Sequence, residues 1–246
     1  MSALFRLTAT ETKLFLREPI NVLFALVLPP LLLVILGVIP AFREPDDDLG
    51  GLRVIDRYTH IVVALAIAMF ALTSLPQQFA SYREKGVLRR MRTTPVRPAV
   101  MLGAQLLMCT LLSTFTMLVV LATARLLFAV TLPRQVAVYV VVYLLSALAM
   151  FAIGLLVASL APSGTGASAI GMVLLFPSLF FAGLWIPRDS MSSVLRTISD
   201  VTPLGAGVES LQVTTGGDLP HLVHVAVLVG WTIVAGGLAA RYFRWE

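Results

Sequence analysis

Five long stretches of the 246-residue chain contain no aspartate, glutamate, lysine or arginine: residues 19–42, 58–82, 98–124, 135–187 and 219–240. A helix needs about 20 apolar residues to cross the hydrocarbon core of a bilayer, so four of these stretches suffice for one crossing each. The stretch 135–187 suffices for two, and the sequence APSGTGAS at 161–168 interrupts it in the way that separates helices. The pattern predicts six spans at about 20–41, 59–81, 99–124, 136–160, 167–186 and 220–240.

The overall composition agrees with a chain that is solvated by lipid. Hydrophobic residues make up 58% and charged residues 13% of the chain, against roughly 45–50% and about 25% in soluble domains. A soluble protein of this size would lack the polar side chains to cover its surface. We therefore expect an all-α polytopic membrane protein, with one membrane domain over residues 1–246.

The distribution of basic residues predicts the orientation, because six spans place both termini on one side. The segments on the N-terminal side hold eleven Lys and Arg and four Asp and Glu, and the opposite segments hold seven and nine. The positive-inside rule then puts both termini in the cytoplasm. The basic residues flank apolar runs, so the net charge of +5 gives no reason to expect a nucleic-acid partner.

Residues 3–18 read as an amphipathic helix that lies on the membrane surface. On a helical projection its cations share one side (Arg6, Lys13 and Arg17), and its apolar residues share another (Leu4, Leu7, Leu14 and Phe15). Pro19 ends this helix. A surface helix with no further role is the alternative.

The source of energy for any transport must lie outside this chain. No charged residue occupies the central part of a span, whereas ion-coupled transporters need buried ionisable groups. The chain contains no G-x-x-x-x-G-K-[ST] phosphate-binding loop either. A partner that supplies energy would dock on the cytoplasmic face, where residues 83–98 (REKGVLRRMRTTPVRP) carry six of the eighteen basic residues. Leu88 and Met91 would lie on one side of a short helix there.

This segment resembles the hallmark of type-2 ABC export permeases, E-x-G-[TV]-L-x-x-[LM]-x-x-[TS]-P. The matching residues are Glu84, Gly86, Val87, Leu88, Met91, Thr94 and Pro95. A second resemblance covers residues 180–212, where an aromatic–proline step and a short amphipathic helix precede Pro-Leu and a glutamate. The matching residues are Pro187, Met191, Pro203, Leu204 and Glu209. The nearest subgroup is the drug and antibiotic efflux permeases.

The resemblance implies a dimer of six-span permeases, identical or related, that works with two separate ATP-binding subunits in the bacterial inner membrane. ATP and Mg²⁺ would bind to those subunits, and this chain would hold no cofactor. Residues 83–98 would contact them, with Glu84, Gly86, Leu88, Met91 and Pro95 as the coupling residues. Residues 187–218 would form short re-entrant helices in the outer leaflet, around Pro187, Pro203 and Glu209. The substrate would be a hydrophobic small molecule such as a drug, an antibiotic or a lipid.

Two groups of residues in the spans have two interpretations each. Thr73, Ser74, Gln77 and Gln78 in the second span either form interhelical hydrogen bonds or line an inward-facing cavity. Phe176, Phe180, Phe181 and Trp185 in the fifth span either anchor and pack the helix or form an apolar plug. In the resembling family the second and fifth spans line the pathway, which would place Thr73, Gln77, Phe176 and Phe180 there.

No catalytic or metal-binding group is expected. His60, His221 and His224 map to the outer interface without the three or four converging ligands that a metal requires. Two other functions stay open: a membrane-embedded lipid or glycan transferase, and a membrane assembly factor that transports nothing.

Overall fold

The computed structural model describes residues 3–45, 51–87 and 98–242. Within these ranges the chain forms helices, apart from turns and one isolated bridge between Pro45 and Arg53. In chain order the helices are α1 (Ala3–Leu16), α2 (Pro19–Val38), α3 (Val54–Glu84), α4 (Pro98–Phe128), α5 (Val136–Leu160), α6 (Gly164–Phe181), α7 (Ser193–Val201), α8 (Pro203–Gly216) and α9 (Leu222–Tyr242). Six of them, α2 to α6 and α9, are long and apolar enough to cross a membrane, which confirms the predicted fold class.

Helix α3 occupies the centre of the bundle. Its apolar window is 94% buried, whereas the other spans are 22% to 56% buried. It packs against α2, α4, α5, α6 and α8. Because α3 is surrounded by protein, its small and branched apolar residues serve helix packing, and the more exposed spans present their outer faces to lipid.

Helix ends depend on local capping as well as on the positions of charged residues. Helix α3 begins at Val54, before the predicted residue 59, because Arg53 and Asp56 cap its first turn. Helix α6 begins at Gly164, because the Ser163 hydroxyl accepts a hydrogen bond from the Gly166 amide at 3.1 Å. It ends at Phe181 and not near 186, since Gly183 adopts a left-handed φ of 90°.

Prolines interrupt the hydrogen-bond ladders of α2 and α3, and each interruption coincides with a π-helical turn. These turns are Leu23–Val27 in α2, before Pro29, and Phe70–Ser74 in α3, before Pro76. A proline cannot donate to the carbonyl four residues earlier, so that oxygen needs another partner. In α2 this oxygen belongs to Ala25, and it lies 3.4 Å from Thr116 Oγ1 of α4, whose one hydroxyl hydrogen is shared with the Leu112 carbonyl of its own helix at 3.0 Å.

In α3 two carbonyls of the π-helical turn lie directly against glycines of the neighbouring helices. A Cβ atom added to Gly171 of α6 would lie 1.7 Å from the Leu72 oxygen, and one added to Gly154 of α5 would lie 2.0 Å from the Ala71 oxygen. Only glycine permits this approach, which places Cα hydrogens against both carbonyls. The Leu72 carbonyl lies four residues before Pro76, which cannot donate an amide hydrogen to it. The turn in the central helix is therefore held between its two neighbours.

Helix α1 packs against the bundle, and of its predicted apolar residues only Phe15 is fully buried. The buried residues are Thr8, Glu11 and Phe15, whereas Leu14 is exposed. This face packs mainly against α4. The predicted cationic side is exposed, as expected for Arg6, Lys13 and Arg17. The helix ends at Leu16, and Pro19 begins α2 with Glu18 as its N-cap.

Two short helices, α7 and α8, separate the last two spans, in the segment where short helices were expected. Most of α8 is buried, and it packs against α3, α5 and α9. The Trp231 indole of α9 donates a hydrogen bond to the Val201 carbonyl at the end of α7, at 2.9 Å. Their expected position in the outer leaflet stays a prediction.

Candidate functional site

Polar residues cluster at both ends of the bundle. We call the end at which α3 ends and α4 begins the inner end, and the end that carries α7 and α8 the outer end. The inner end holds Gly86 and Glu84 of the predicted coupling segment. Leu88, Met91 and Pro95, the other predicted coupling residues, lie outside the described residues.

The described residues of the coupling segment form hydrogen bonds to α5 and α6 at the inner end of the bundle. The Glu84 carboxylate accepts a hydrogen bond from the Gly164 amide at 3.1 Å and so caps the first turn of α6. Arg83 donates to the carbonyls of Ser159 and Ala161, at the end of α5. Gly86 has a left-handed φ of 66°, and its amide bonds to the Arg83 carbonyl at 3.0 Å, so it terminates α3. The start of residues 83–98 is thus fixed to α5 and α6.

A buried carboxylate on α1 lies at the same end. Glu11 is 3% exposed. Its Oε2 accepts hydrogen bonds from the Tyr82 hydroxyl at 2.7 Å, from Gln105 Nε2 at 2.7 Å and from Gln78 Nε2 at 3.4 Å. Burial raises the pKa of Glu11 above its usual value, although the bonds from Tyr82 and Gln105 oppose this shift. We call these four residues the Glu11 junction.

The predicted pathway residues do not form one cavity. Gln77 lines a cavity of about 310 Å³ at the inner end, between the α1–α2 connection and the end of α3. Thr73 is half-buried and donates to the Met69 carbonyl of its own helix at 2.5 Å. Phe176 is 58% exposed and stacks on Trp185, with ring centroids 6.0 Å apart. Phe180 is half-buried and packs edge-on against Phe181.

The outer end carries an ionic cluster around Arg188, which the sequence analysis did not identify. Arg188 forms ion pairs with Asp200 of α7 and, at 3.4 Å, with Glu209 of α8. His224 Nε2 of α9 lies 2.9 Å from the Asp200 carboxylate. Burial alone would raise the pKa of Asp200, but the bonds from Arg188 and His224 hold it below its usual value. Glu209 therefore belongs to a cluster that connects α7, α8 and α9.

The predicted proline positions flank this cluster. Pro187 precedes Arg188, and Pro203 opens α8, where the Thr202 hydroxyl accepts a hydrogen bond from the Gly205 amide. In the described ranges, no three His, Cys, Asp or Glu residues lie close enough together to hold a metal ion. His60 is buried, with Nδ1 3.4 Å from the Tyr139 hydroxyl.

A model of the membrane region of ABC-2 type transporters matches residues 2–215 of the 246-residue chain. The chain belongs to the ABC-2 type transporter family. The match includes α1, both ends of α3 and most of α8, so it takes in the Glu11 junction and, at the outer end, Arg188, Asp200 and Glu209, whereas His224 lies beyond it. A search among curated proteins found no match.

As an ABC-2 transporter chain, the protein is a multi-pass membrane protein and a permease component. Permeases of this family normally work with an ATP-binding subunit. The sequence pattern did not identify Glu11, and it indicated only that its partners are polar residues in apolar surroundings. Gln78 and Tyr82 are one helical turn apart at the end of α3, and Gln105 is an amide in an otherwise apolar part of α4.

Proposed function

We propose that this ABC-2 permease is the transmembrane subunit of an ATP-driven exporter. It moves an apolar or amphipathic molecule, such as a drug, an antibiotic or a lipid, out of the cytoplasm or the inner leaflet. A separate subunit hydrolyses the ATP, and a second permease chain completes the pathway. The inner end faces the cytoplasm of a bacterial cell, with both termini on that side.

The observation that carries this proposal is the set of polar bonds at the inner end. Glu84 and Arg83 fix the start of residues 83–98 to α5 and α6, and Glu11 fixes α1 to α3 and α4. A partner that pushes on this surface acts on four spans at once. Such a rigid surface suits a permease whose energy comes from another polypeptide.

The distribution of charge supports an external source of energy. In the six spans, aspartate, glutamate, lysine and arginine occur only near helix ends, as with Asp56 and Glu84 in α3 and Arg125 in α4. A pathway without central charges suits an apolar or amphipathic substrate. The exposed Phe176 on α6 and Gln77 on α3 supply an apolar and a polar surface for that pathway.

The decisive experiment pairs the permease with an ATP-binding subunit, which we expect to be encoded beside its gene. Both chains are co-expressed, purified through a tag on the permease and reconstituted in lipid nanodiscs. We expect the two to copurify and to hydrolyse ATP, and we expect the permease alone to show no ATPase activity. A partner variant that lacks its catalytic glutamate controls for contaminating ATPases. ATP turnover at an ordinary enzymatic rate by the isolated permease would contradict the proposal.

A further inference from the structure

The Glu11 junction connects three separate parts of the chain. Glu11 lies on α1, Gln78 and Tyr82 lie on the last two turns of α3, and Gln105 lies in the first third of α4. Its bonds span 67 to 94 residues in sequence. They are tertiary contacts that order no local turn or helix cap, so their effect is to hold α1 in one position against two spans.

The cost of burial makes this arrangement unusual. A carboxylate that is nearly inaccessible to water is stable only when hydrogen bonds replace its hydration. Glu11 receives two such bonds of 2.7 Å from residues on two different helices. Without the carboxylate, the Tyr82 hydroxyl and the buried amide of Gln105 would lose an acceptor at the same time. The junction therefore holds α1 as long as its acceptor is present.

The position of Tyr82 relates the junction to the coupling segment. Tyr82 precedes Glu84 by two residues, and Glu84 caps α6. The last turn of α3 thus bonds to α1 on one side and to α6 on the other. A force that reaches residues 83–98 would act on α1, α3, α4 and α6 together as long as both sets of bonds are intact.

We infer that Glu11 is the positioning residue that makes α1, α3 and α4 move as one body when ATP drives the transporter through its cycle. This role rests on the proposed function, and it assigns to Glu11 the link between the N-terminal helix and the spans. The residue touches neither substrate nor nucleotide. It acts through Tyr82 and Gln105.

The test measures the distance between α1 and α4 in the complex with its ATP-binding subunit, reconstituted in nanodiscs. Spin labels are attached at Thr10→Cys and Leu118→Cys, two exposed positions on these helices, in a Cys109→Ala background. Distances are recorded without nucleotide and with ATP trapped by a hydrolysis-deficient partner. With Glu11 present, we expect one narrow distance distribution that is the same in both states.

Glu11→Ala removes the acceptor, so we expect the distribution to match the wild type without nucleotide and to shift or broaden with ATP. Glu11→Gln should restore the single distribution. Its amide oxygen accepts from Tyr82, and its amide nitrogen can donate to Gln105 Oε1, a buried atom without a hydrogen-bond partner among the described residues. Should Glu11→Ala fail to fold, Tyr82→Phe and Gln105→Leu remove one donor each, and both should show the ATP-dependent change to a smaller extent.

Thr8→Ala is the matched control. Thr8 lies on the same buried face of α1, and its hydroxyl donates only to the Leu4 carbonyl of its own helix. The control should behave as the wild type does, which separates loss of the junction from loss of buried volume. A single ATP-independent distance in folded Glu11→Ala, or a shift with ATP in the wild type, would overturn the inference. A wild-type complex that does not hydrolyse ATP would instead overturn the proposed function, and this inference with it.

Discussion

Replacing Gly171 by alanine tests whether α3 and α6 approach as closely as the fold requires. The new Cβ atom would lie 1.7 Å from the Leu72 oxygen and 2.8 Å from the Leu72 carbonyl carbon. A favourable contact between carbon and oxygen needs about 3.3–3.6 Å. The two Leu72 atoms belong to the backbone of α3, and the new Cβ atom is fixed to the backbone of α6, so no side-chain rotation relieves the clash. The two helices must separate by more than an ångström, or the π-helical turn at Phe70–Ser74 must rearrange.

Separating the two helices should lower the free energy of unfolding by an amount at the upper end of overpacking effects, which are typically about 1–3 kcal/mol. Separation also uncovers the Leu72 carbonyl, to which Pro76, four residues later, cannot donate an amide hydrogen. At about 2–4 °C of melting temperature for each kcal/mol in proteins of 150–250 residues, we expect a decrease of roughly 6–12 °C. Gly154→Ala should act in the same direction, since its Cβ would lie 2.0 Å from the Ala71 oxygen.

The chain provides both a reporter and a control for this measurement. Its single cysteine, Cys109, is buried, so its reaction with a fluorogenic thiol reagent during heating follows unfolding. Gly230→Ala makes the same substitution in another span, and no heavy atom lies within 4 Å of its new Cβ. Alanine exceeds glycine in helix stability by roughly 0.5–1 kcal/mol, so this control should melt no lower than the wild type. Equal melting temperatures for Gly171→Ala and Gly230→Ala would show that the helices do not approach in this way.

Three further predictions concern the inner end and the orientation. Burial raises the pKa of Glu11, so the folded chain binds a proton at this carboxylate more tightly than the unfolded chain does. The melting temperature of the wild type should therefore rise relative to that of Glu11→Gln as the pH falls from 8 towards 4.5. A difference in melting temperature that stays constant with pH would contradict this assignment. Leu88→Asp, which places a charge in the predicted docking contact, should abolish ATPase activity of the complex while the permease still inserts. Arg92→Gln should lower this activity only mildly, and the effect should shrink at high salt. Wild-type ATPase activity of Leu88→Asp would refute the coupling role. Finally, in a Cys109→Ala background, a cysteine at residue 216 should react with an impermeant thiol reagent in intact cells and one at residue 90 should not; the opposite pattern would reverse the orientation.

The number of spans could be predicted from sequence because the membrane itself imposes the pattern. Charged residues are costly in hydrocarbon, so the gaps between them measure the spans. The ends of the helices follow a different rule, since a charged residue can belong to the first or last turn of a span. Asp56 and Arg125 both lie inside helices, and the backbone at Gly183 ends α6 before the apolar run ends. These details depend on capping bonds between specific atoms.

The Glu11 junction could not be located from sequence, because the buried face of α1 depends on what packs against it. Helical projection placed Leu14 and Phe15 on one apolar face, but the structure buries Phe15 together with Thr8 and Glu11 and exposes Leu14. An acid in the middle of an amphipathic helix normally indicates its solvated side. Only the tertiary fold shows that Gln105 and Tyr82 supply the hydrogen bonds that replace water.

Helix α3 relates the two ends of the molecule to each other. At the inner end it carries Tyr82 and Glu84, which bond to α1 and α6, and near the outer end the Tyr58 hydroxyl donates to the Leu184 carbonyl at 2.9 Å. Between them lies the π-helical turn, where Pro76 weakens the helix and two glycines hold it. Because the turn is held and both ends are bonded, α3 connects the inner bonds to the outer ones as one continuous element. Since α3 also packs against α8, it gives a physical route by which a force on residues 83–98 would reach the outer helices.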